Sequence, residues 1–469
     1  MQFTHTAPPP PPLHPNAHHG GLGLGLFLDV VGAPTRAAAS ARPWPGTTSF
    51  PSPASKISLG NLNSTSCMEQ LLVHCANAIE ANDATLTQQI LWVLNNIATP
   101  DGDSNQRLTA AFLCALVARA SRTGACKAVT AAVAAESASL HVHRFTAVEL
   151  AGFVDLTPWH RFGYTAANAA ILDAVEGFPV VHVVELGTTH CMQIPTLIDM
   201  LASRAEGPPI LRLTVADVSA AAPTAPPPAL DMSYDELGAK LVNFARSRNM
   251  SMDFRVVPTS PADAFTSLID QLRVQQLVLD GSEALVFNCH MLLHTVPDET
   301  AGSVMSLAQP QQAVSLRTML LKSLRSLEPN LVVVVEEDAD FTAGDVVGRL
   351  RAAFNFLWIP YDAVDTFLPK GSEQRRWYEA EVGWKVENVL AQEGVERVER
   401  QEDRGRWGQR MRSSGFRAVT FGEEAAGEVK AMLNEHAAGW GMKREDEDLV
   451  LTWKGHNVVF ASAWAPSSS

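Results

Sequence analysis

Val180-Val181-His182-Val183-Val184-Glu185-Leu186-Gly187 is the stretch that decides the fold. Four of its eight residues are valine, and apolar side chains fall on both faces of the extended chain. A half-buried strand would alternate apolar and polar residues with period two. This one scarcely alternates, so it predicts a central strand of a parallel sheet, covered on both sides. The run ends in an acid and a glycine, and a helix is expected from about Pro195 to Arg204. Open α/β sheets bind their ligands just beyond the carboxyl ends of such strands. The end of 180–187 is therefore where a cofactor site is expected.

Working outward, a helix is expected over about 161–175, stopped by Gly177 and Pro179. A strand follows over 210–216, then an Ala/Pro-rich surface loop, 219–230. Ser233-Tyr234-Asp235-Glu236 has the form of a capping box and starts a helix reaching about Arg248. Further strands are expected over 254–257, 285–289 and 331–336. This alternation predicts an α/β fold with a doubly wound, largely parallel sheet. Near the C-terminus, 449–453 and 457–462 are separated by Lys454-Gly455-His456, which reads as an antiparallel hairpin. A parallel sheet closing in such a hairpin is of methyltransferase-like type, a statement about architecture and not about activity. Upstream, Leu71, Cys75 and Ile79 recur at helical spacing, as do Leu86, Ile90 and Ile97. After Pro100-Asp101-Gly102, Leu108, Phe112, Ala115 and Leu116 share a face over 105–121. This region reads as a helical cap. Residues 1–66, rich in Pro, Gly and Ser, read as a disordered tail. Its scarcity of acids leaves a transit-peptide reading open beside that of a plain tail.

The chain has 469 residues, 46% of them apolar, enough for a large core and the length of two to three domains. Its formal net charge of −14 argues against overall attraction to nucleic acid, so any DNA contact needs a local basic patch. The six cysteines form no C-x-x-C pair. Neither a zinc site nor a disulfide framework is signalled, and a reducing compartment is expected. No apolar run is long enough to predict a membrane span.

The glycine pattern bears directly on chemistry. A methyltransferase of this type carries glycines at the second, fourth and sixth positions after the strand-end acid. Glu185 and Gly187 match, but Thr189 and Cys191 replace the other two. Side chains there hinder the close backbone approach a nucleoside cofactor needs, so the loop reads as degenerate and no cofactor is expected. An S-adenosylmethionine-dependent methyltransferase or a small-molecule-binding protein on the same fold stays as the alternative. His290 and His294 have a spacing that fits metal ligation on a helix, but no zincin glutamate accompanies them. Glu336, Glu337, Asp338 and Asp340 read as a solvated loop beside a Mg²⁺ alternative. No catalytic residues and no metal site are assigned. Between Arg397 and Arg417 lie seven arginines and three acids, about +4 in an otherwise acidic chain. Arg397, Arg400, Arg404, Arg406, Trp407, Arg410 and Arg412 are candidate contacts to DNA or to a partner. A salt-bridged surface accounts for the same residues.

These residues converge on a family. From about 67 to 466 the chain resembles the GRAS family of plant transcriptional regulators. Val181-His182-Val183-Val184-Glu185 resembles its VHIID motif, with valine for both isoleucines and Glu for Asp. Ala167–Ala174, Asn288 with Leu293-His294, Arg397-Val398-Glu399-Arg400, Trp407 with Gly415, Leu451 with Trp453, and Ser462-Ala463-Trp464 match further motifs in order. The Glu185-Leu186-Gly187 variant and Thr157–Phe162 mark one branch of the family. The resemblance divides the domain, 67–466, into a first leucine-rich region (67–128), a VHIID region (150–215), a second leucine-rich region (233–270), a PFYRE region (280–381) and a SAW region (384–466). It implies a nuclear regulator without assigned catalysis. It also implies protein partners: other GRAS-like proteins in homo- or heterodimers, and DNA-binding transcription factors. Direct DNA binding stays open, and no membrane is involved.

Overall fold

The computed structural model describes residues 65–123, 143–219, 226–276, 283–299 and 315–468. The expected tail therefore lies outside the described residues, except for its last two positions. A short parallel pair joins β1 (Arg144–Phe145) to β4 (Ala229–Leu230). All other strands form one nine-stranded sheet. Within it β2 (Val180–Gly187) is an interior strand, parallel to β3 (Ile210–Asp217) on one side and to β6 (Glu283–His290) on the other. β5 (Met252–Pro258) continues beyond β3, and β7 (Leu331–Glu337) beyond β6, both in parallel. β11 (His456–Pro466) then runs antiparallel to β7 and to β10 (Asp448–Trp453). β9 (Trp440–Glu445) forms the far edge, and β8 (Phe416–Val419) pairs with the end of β11. The order β5-β3-β2-β6-β7-β11-β10-β9 is doubly wound, with its switch point between β2 and β6.

The valine-rich strands are buried on both faces, as their composition requires. On one face Val184, Leu186, Phe287, Val332, Val334, Phe460 and Trp464 join a core with Phe265, Leu324, Trp407 and Met411. These come from α8 (Thr266–Gln276) and its entry, α9 (Leu316–Arg325) and α12 (Arg404–Ser413). On the other face lies α5 (Pro158–Ala174). A Cβ at Gly163 would sit 2.5 Å from Val335 Cγ1 and 2.8 Å from His290 Nε2, so glycine there is what lets this helix lie close on the sheet. The hairpin turn is Lys454-Gly455, both at positive φ (48° and 88°), the backbone of a two-residue primed turn. His456, expected in the turn, is the first paired residue of β11.

The cap draws on more of the chain than the leucine-rich stretch. α1 (Thr65–Glu80), α2 (Ala84–Ile97) and α3 (Ser104–Thr123) pack with α10 (Val346–Asp365) and α11 (Glu373–Ala391). Buried arginines tie these segments together. Arg107 reaches Asp365 and Glu379, both at 2.8 Å, and Arg119 reaches Glu80 at 2.8 Å and Glu393 at 2.9 Å. Among the described residues no helix is long and apolar enough to cross a membrane.

Candidate functional site

The carboxyl end of β2 is closed from within. Glu185 is buried and faces Asn288, its partner in register on β6. The Asn288 amide donates to Glu185 Oε2 at 2.6 Å and to Gln193 Oε1 at 2.9 Å; Gln193 Nε2 in turn donates to Asn168 Oδ1 at 2.8 Å. Burial pushes the Glu185 carboxyl up to about 7, although the Asn288 bond favours its charged form. A Cβ at Gly187 would collide with Glu185 Oε1, so this glycine makes room for the chain's own acid.

The two side chains that replace the loop glycines point into protein. Thr189 and Cys191 are 1% and 3% exposed, and Tyr164 donates its hydroxyl to Thr189 Oγ1. Cys191 itself adopts a left-handed φ of 61°. A nucleoside cofactor needs bare backbone along this turn, and the residues present do not fit it. The adjoining cavity is about 70 Å³. Pockets for drug-sized ligands run to roughly 300–1,000 Å³.

That cavity lies where the cap meets the sheet, and charged side chains crowd its wall. Glu337, expected in a solvated loop with Glu336, is instead the last residue of β7, and both are buried. Glu337 Oε1 accepts from Lys385 Nζ at 2.6 Å and from Trp159 Nε1 at 3.1 Å, and Oε2 accepts from Gln401 at 3.2 Å. Glu399 lies 3.7 Å from Lys385 and 3.6 Å from His294, whose Nδ1 meets Glu336 at 2.7 Å. Burial opposes the charge on His294, but Glu336 and Glu399 outweigh it and raise the imidazole to about 9. Burial likewise opposes charge on Glu399, yet Lys385 and His294 hold it down to about 2. Among the described residues Glu381 has no such partner at hydrogen-bond distance, and burial pushes it up to about 8. His290 ends β6 and His294 lies in a short 3₁₀ turn, so the two do not share a helix face. Among the described residues no cluster of three or more His, Cys, Asp or Glu has metal-binding form.

The basic segment turns largely inward. Arg397 and Arg400 are 4% and 1% exposed; Arg397 Nη1 donates to Phe341 O at 3.1 Å, and Arg400 Nη1 reaches Asp298 at 2.8 Å. Arg404 is held by Glu445, Asp446 and Asp448 at 3.0–3.2 Å. Arg406 reaches Asp340 at 3.3 Å and Glu402 at 3.2 Å. Arg410 makes paired bonds to Glu402 (2.6 Å each) and to Glu299 (2.9 Å each). Trp407 is buried beneath the guanidinium of Arg317, which lies 5.3 Å from its ring centre. Arg412 is exposed and lies over Trp464 at 5.6 Å. The candidate contacts therefore do not form one exposed basic face.

The remaining motif residues are structural in their surroundings. Val181, Val183 and Val184 are fully buried in β2, and His182 bridges Thr214 at 2.8 Å and Glu283 at 3.0 Å. Ser462 and Ala463 are buried in β11, and Ser462 accepts from Trp464 Nε1 at 2.9 Å. Sequence reasoning missed Lys385, Asn388 and Arg317. Asn388 on α11 receives the N–H groups of Val398 and Glu399 at 2.9 Å each and so pins the Arg397–Arg400 segment to the cap. Polar residues inside otherwise apolar helix faces were the only signal for these positions.

Comparison with known proteins agrees with this architecture. The model of the GRAS domain family matches residues 68–465. Scarecrow-like protein 32 of Arabidopsis thaliana is 56% identical over 423 residues, covering 89% of this chain and 98% of that protein. Protein SHORT-ROOT of the same plant is 31% identical, covering 85% and 73%. The crystal structure of SCL7 in Oryza sativa superposes with a TM-score of 0.64 over 85% of this chain and 99% of that one, at 22% identity.

Proposed function

The chain belongs to the GRAS domain family of plant transcriptional regulators, and from that premise we propose that it acts in the nucleus through protein partners and is not an enzyme. One observation carries the reading. The turn where this fold would hold a nucleoside cofactor is filled by Thr189 and Cys191, and the adjoining charges are spent on one another. A second observation favours recruitment to DNA over direct reading of it. The arginines that would meet phosphates, Arg400, Arg404, Arg406 and Arg410, already hold internal carboxylates. Releasing them means unpairing charges, several of them buried. In this reading the region divisions at 67–128, 150–215, 233–270, 280–381 and 384–466 are stretches of one domain, not separate modules.

The test is a reporter experiment in plant cells with the full chain. Fused to a foreign DNA-binding domain, the chain should change transcription from that domain's sites. Unfused, a fluorescently tagged copy should enter the nucleus, and the purified chain should enrich no motif from a random DNA pool. Exclusion from the nucleus, or strong enrichment of one motif by the purified chain alone, would refute the reading.

A further inference from the structure

Among the described residues nothing pairs with the outer edge of β5, whose one neighbour in the sheet is β3. One face of β5 is covered by α7 (Tyr234–Ser247), which packs beside α6 (Ile194–Ala202). A Cβ at Gly238 would sit 2.2 Å from Phe254 Cδ1, so glycine lets α7 lie on the strand. The bonds from Leu211 N–H to Ser251 O and from Thr259 N–H to Asp217 O, 2.9 Å each, turn the main chain of the odd-numbered residues toward β3. Successive residues of a strand bond to opposite sides, so the N–H and C=O groups of Met252, Phe254 and Val256 point out of the sheet. Among the described residues none of these groups makes a hydrogen bond. Such a row is a template for a further strand.

The side chains on the other face of β5 decide which strand fits. Asp253 and Arg255 are exposed there and border an open hollow of about 370 Å³ with Arg212 and Val274. Their own chain holds both loosely. Arg212 lies 3.8 Å from Asp253 but 2.5 Å from Glu283. Arg255 donates to Gln271 Oε1 at 2.6 Å, and among the described residues no carboxylate lies within salt-bridge distance of it. An acid and a base two positions apart on one face are their own complement when the strand meets a copy of itself antiparallel. With Phe254 on the twofold axis, Asp253 faces Arg255 of the second copy, and Arg255 faces Asp253 of the second copy. In that register the outward groups of Phe254 meet each other, and those of Met252 meet Val256, so every outward donor finds an acceptor. The charged pairs take the closely spaced positions between these bonds. Sliding the pairing by two residues sets Arg255 against Arg255 or Asp253 against Asp253, and like charges directly opposite are unfavourable.

We propose that the β5 edge is a self-association surface, on which a second copy of this chain adds its own β5 antiparallel and the two sheets become one. The contact is isologous, and its register is set by the Asp253–Arg255 pairs. A single short strand pair makes a small interface, so the dimer is weak and forms in the micromolar range. The inference deepens the partner-dependent reading above by naming one surface and one register. It fails separately from that reading, because a strictly monomeric chain can still act through other proteins in the reporter experiment.

The test is analytical ultracentrifugation of the full chain from about 1 to about 100 µM, a range that spans a weak interface. The mass should rise from monomer toward dimer. Arg255→Asp leaves only acids on this face of the edge and Asp253→Arg only bases, so each variant alone should raise the dissociation constant about tenfold or more. An equimolar mixture of the two variants should restore the dimer, as should the double exchange Asp253→Arg with Arg255→Asp in one chain. Val256→Pro removes an outward donor and leaves the bonds to β3 in place, so it should also abolish the rise in mass. A chain that stays monomeric throughout would overturn the proposal, and Asp253 and Arg255 would then merely blunt a bare edge. A dimer that ignores both charge reversals would overturn it too, since it would use another surface. So would a mixture that fails to restore what each variant loses, because the register would then be wrong.

Discussion

Glu402→Gln is the substitution that best tests the inward role of the arginines. Glu402 is fully buried and faces three guanidinium groups: Arg317 at 3.2 Å, Arg406 at 3.2 Å and Arg410 at 2.6 Å. Arg317 is itself buried, and Glu402 is the only carboxylate within salt-bridge distance of it among the described residues. Its other bonds go to the carbonyls of Val296, His294 and Arg400 at 2.7–2.8 Å. Glutamine keeps the volume and removes only the charge, so the loss reports electrostatics and not packing. Removing one partner of a buried ion pair costs about 3–5 kcal/mol. Unfolding entropy of about 2.1 cal/mol/K per residue gives roughly 0.8 kcal/mol/K for a domain of roughly 400 residues. The melting temperature should therefore fall by about 4–6 °C, measured by calorimetry on the full chain. Arg412→Ala, which removes an exposed side chain, should move it by about 1 °C or less. An unchanged melting temperature for Glu402→Gln would refute the reasoning. The guanidinium groups would then not depend on this acid, and they would be available to phosphates after all.

Two further outcomes follow from the same geometry. His294 is raised from 6.5 to about 9, so its contribution to stability is complete below pH 6.5 and is lost as the pH rises through 9. Melting temperatures taken from pH 6 to pH 10 should fall across that window, and His294→Gln should flatten the fall; an equally steep fall in the variant would show that the imidazole is not its source. Millimolar S-adenosylmethionine should leave the melting temperature unchanged, whereas a ligand at 1,000 times its Kd adds about 4.1 kcal/mol; a shift of several degrees would restore the methyltransferase alternative.

The sheet was legible because its signals are local. Five consecutive residues from Leu331 to Val335 can only be a buried strand segment or a buried helix, and their β-branching decides between the two. The Lys454-Gly455 turn is legible for the same reason, since glycine supplies the positive φ that the hairpin needs. The cap was half legible. α11 carries Arg375, Glu379 and Lys385 among its apolar residues, so no clean stripe marks it as a packed helix. Those charges are satisfied by Asp365, Glu337 and one another, and Glu337 lies too far along the chain for any window to show. The basic segment failed in the same way. Its composition is plain, but Asp340, Glu299 and Asp448, which neutralise it, come from three distant stretches. Charge patterning shows how many cations a segment holds and not which way they point.

The cap–core junction fills the ligand edge of this sheet with the protein's own side chains. A cofactor crevice at a switch point needs space between the strand ends and whatever covers them. Here Lys385 of the cap helix α11 reaches Glu337 at the end of β7, and Glu399 lies between Lys385 and His294. Asn388 holds the backbone of the same 398–399 segment, and Arg400 continues from it to Asp298. Four stretches distant in sequence thus share one buried ionic joint. Breaking any single member strands a charge among the rest, which penalises displacement of the cap from the sheet. A ligand entering there would have to replace that joint. A protein partner need not, because it can bind the outer helices while the joint keeps cap and sheet in register. The degenerate turn at Thr189 and Cys191 and the inward arginines are then two parts of one arrangement. It leaves a cavity of only about 70 Å³ where a cofactor crevice would open, which is the geometry the proposed partner-dependent reading predicts.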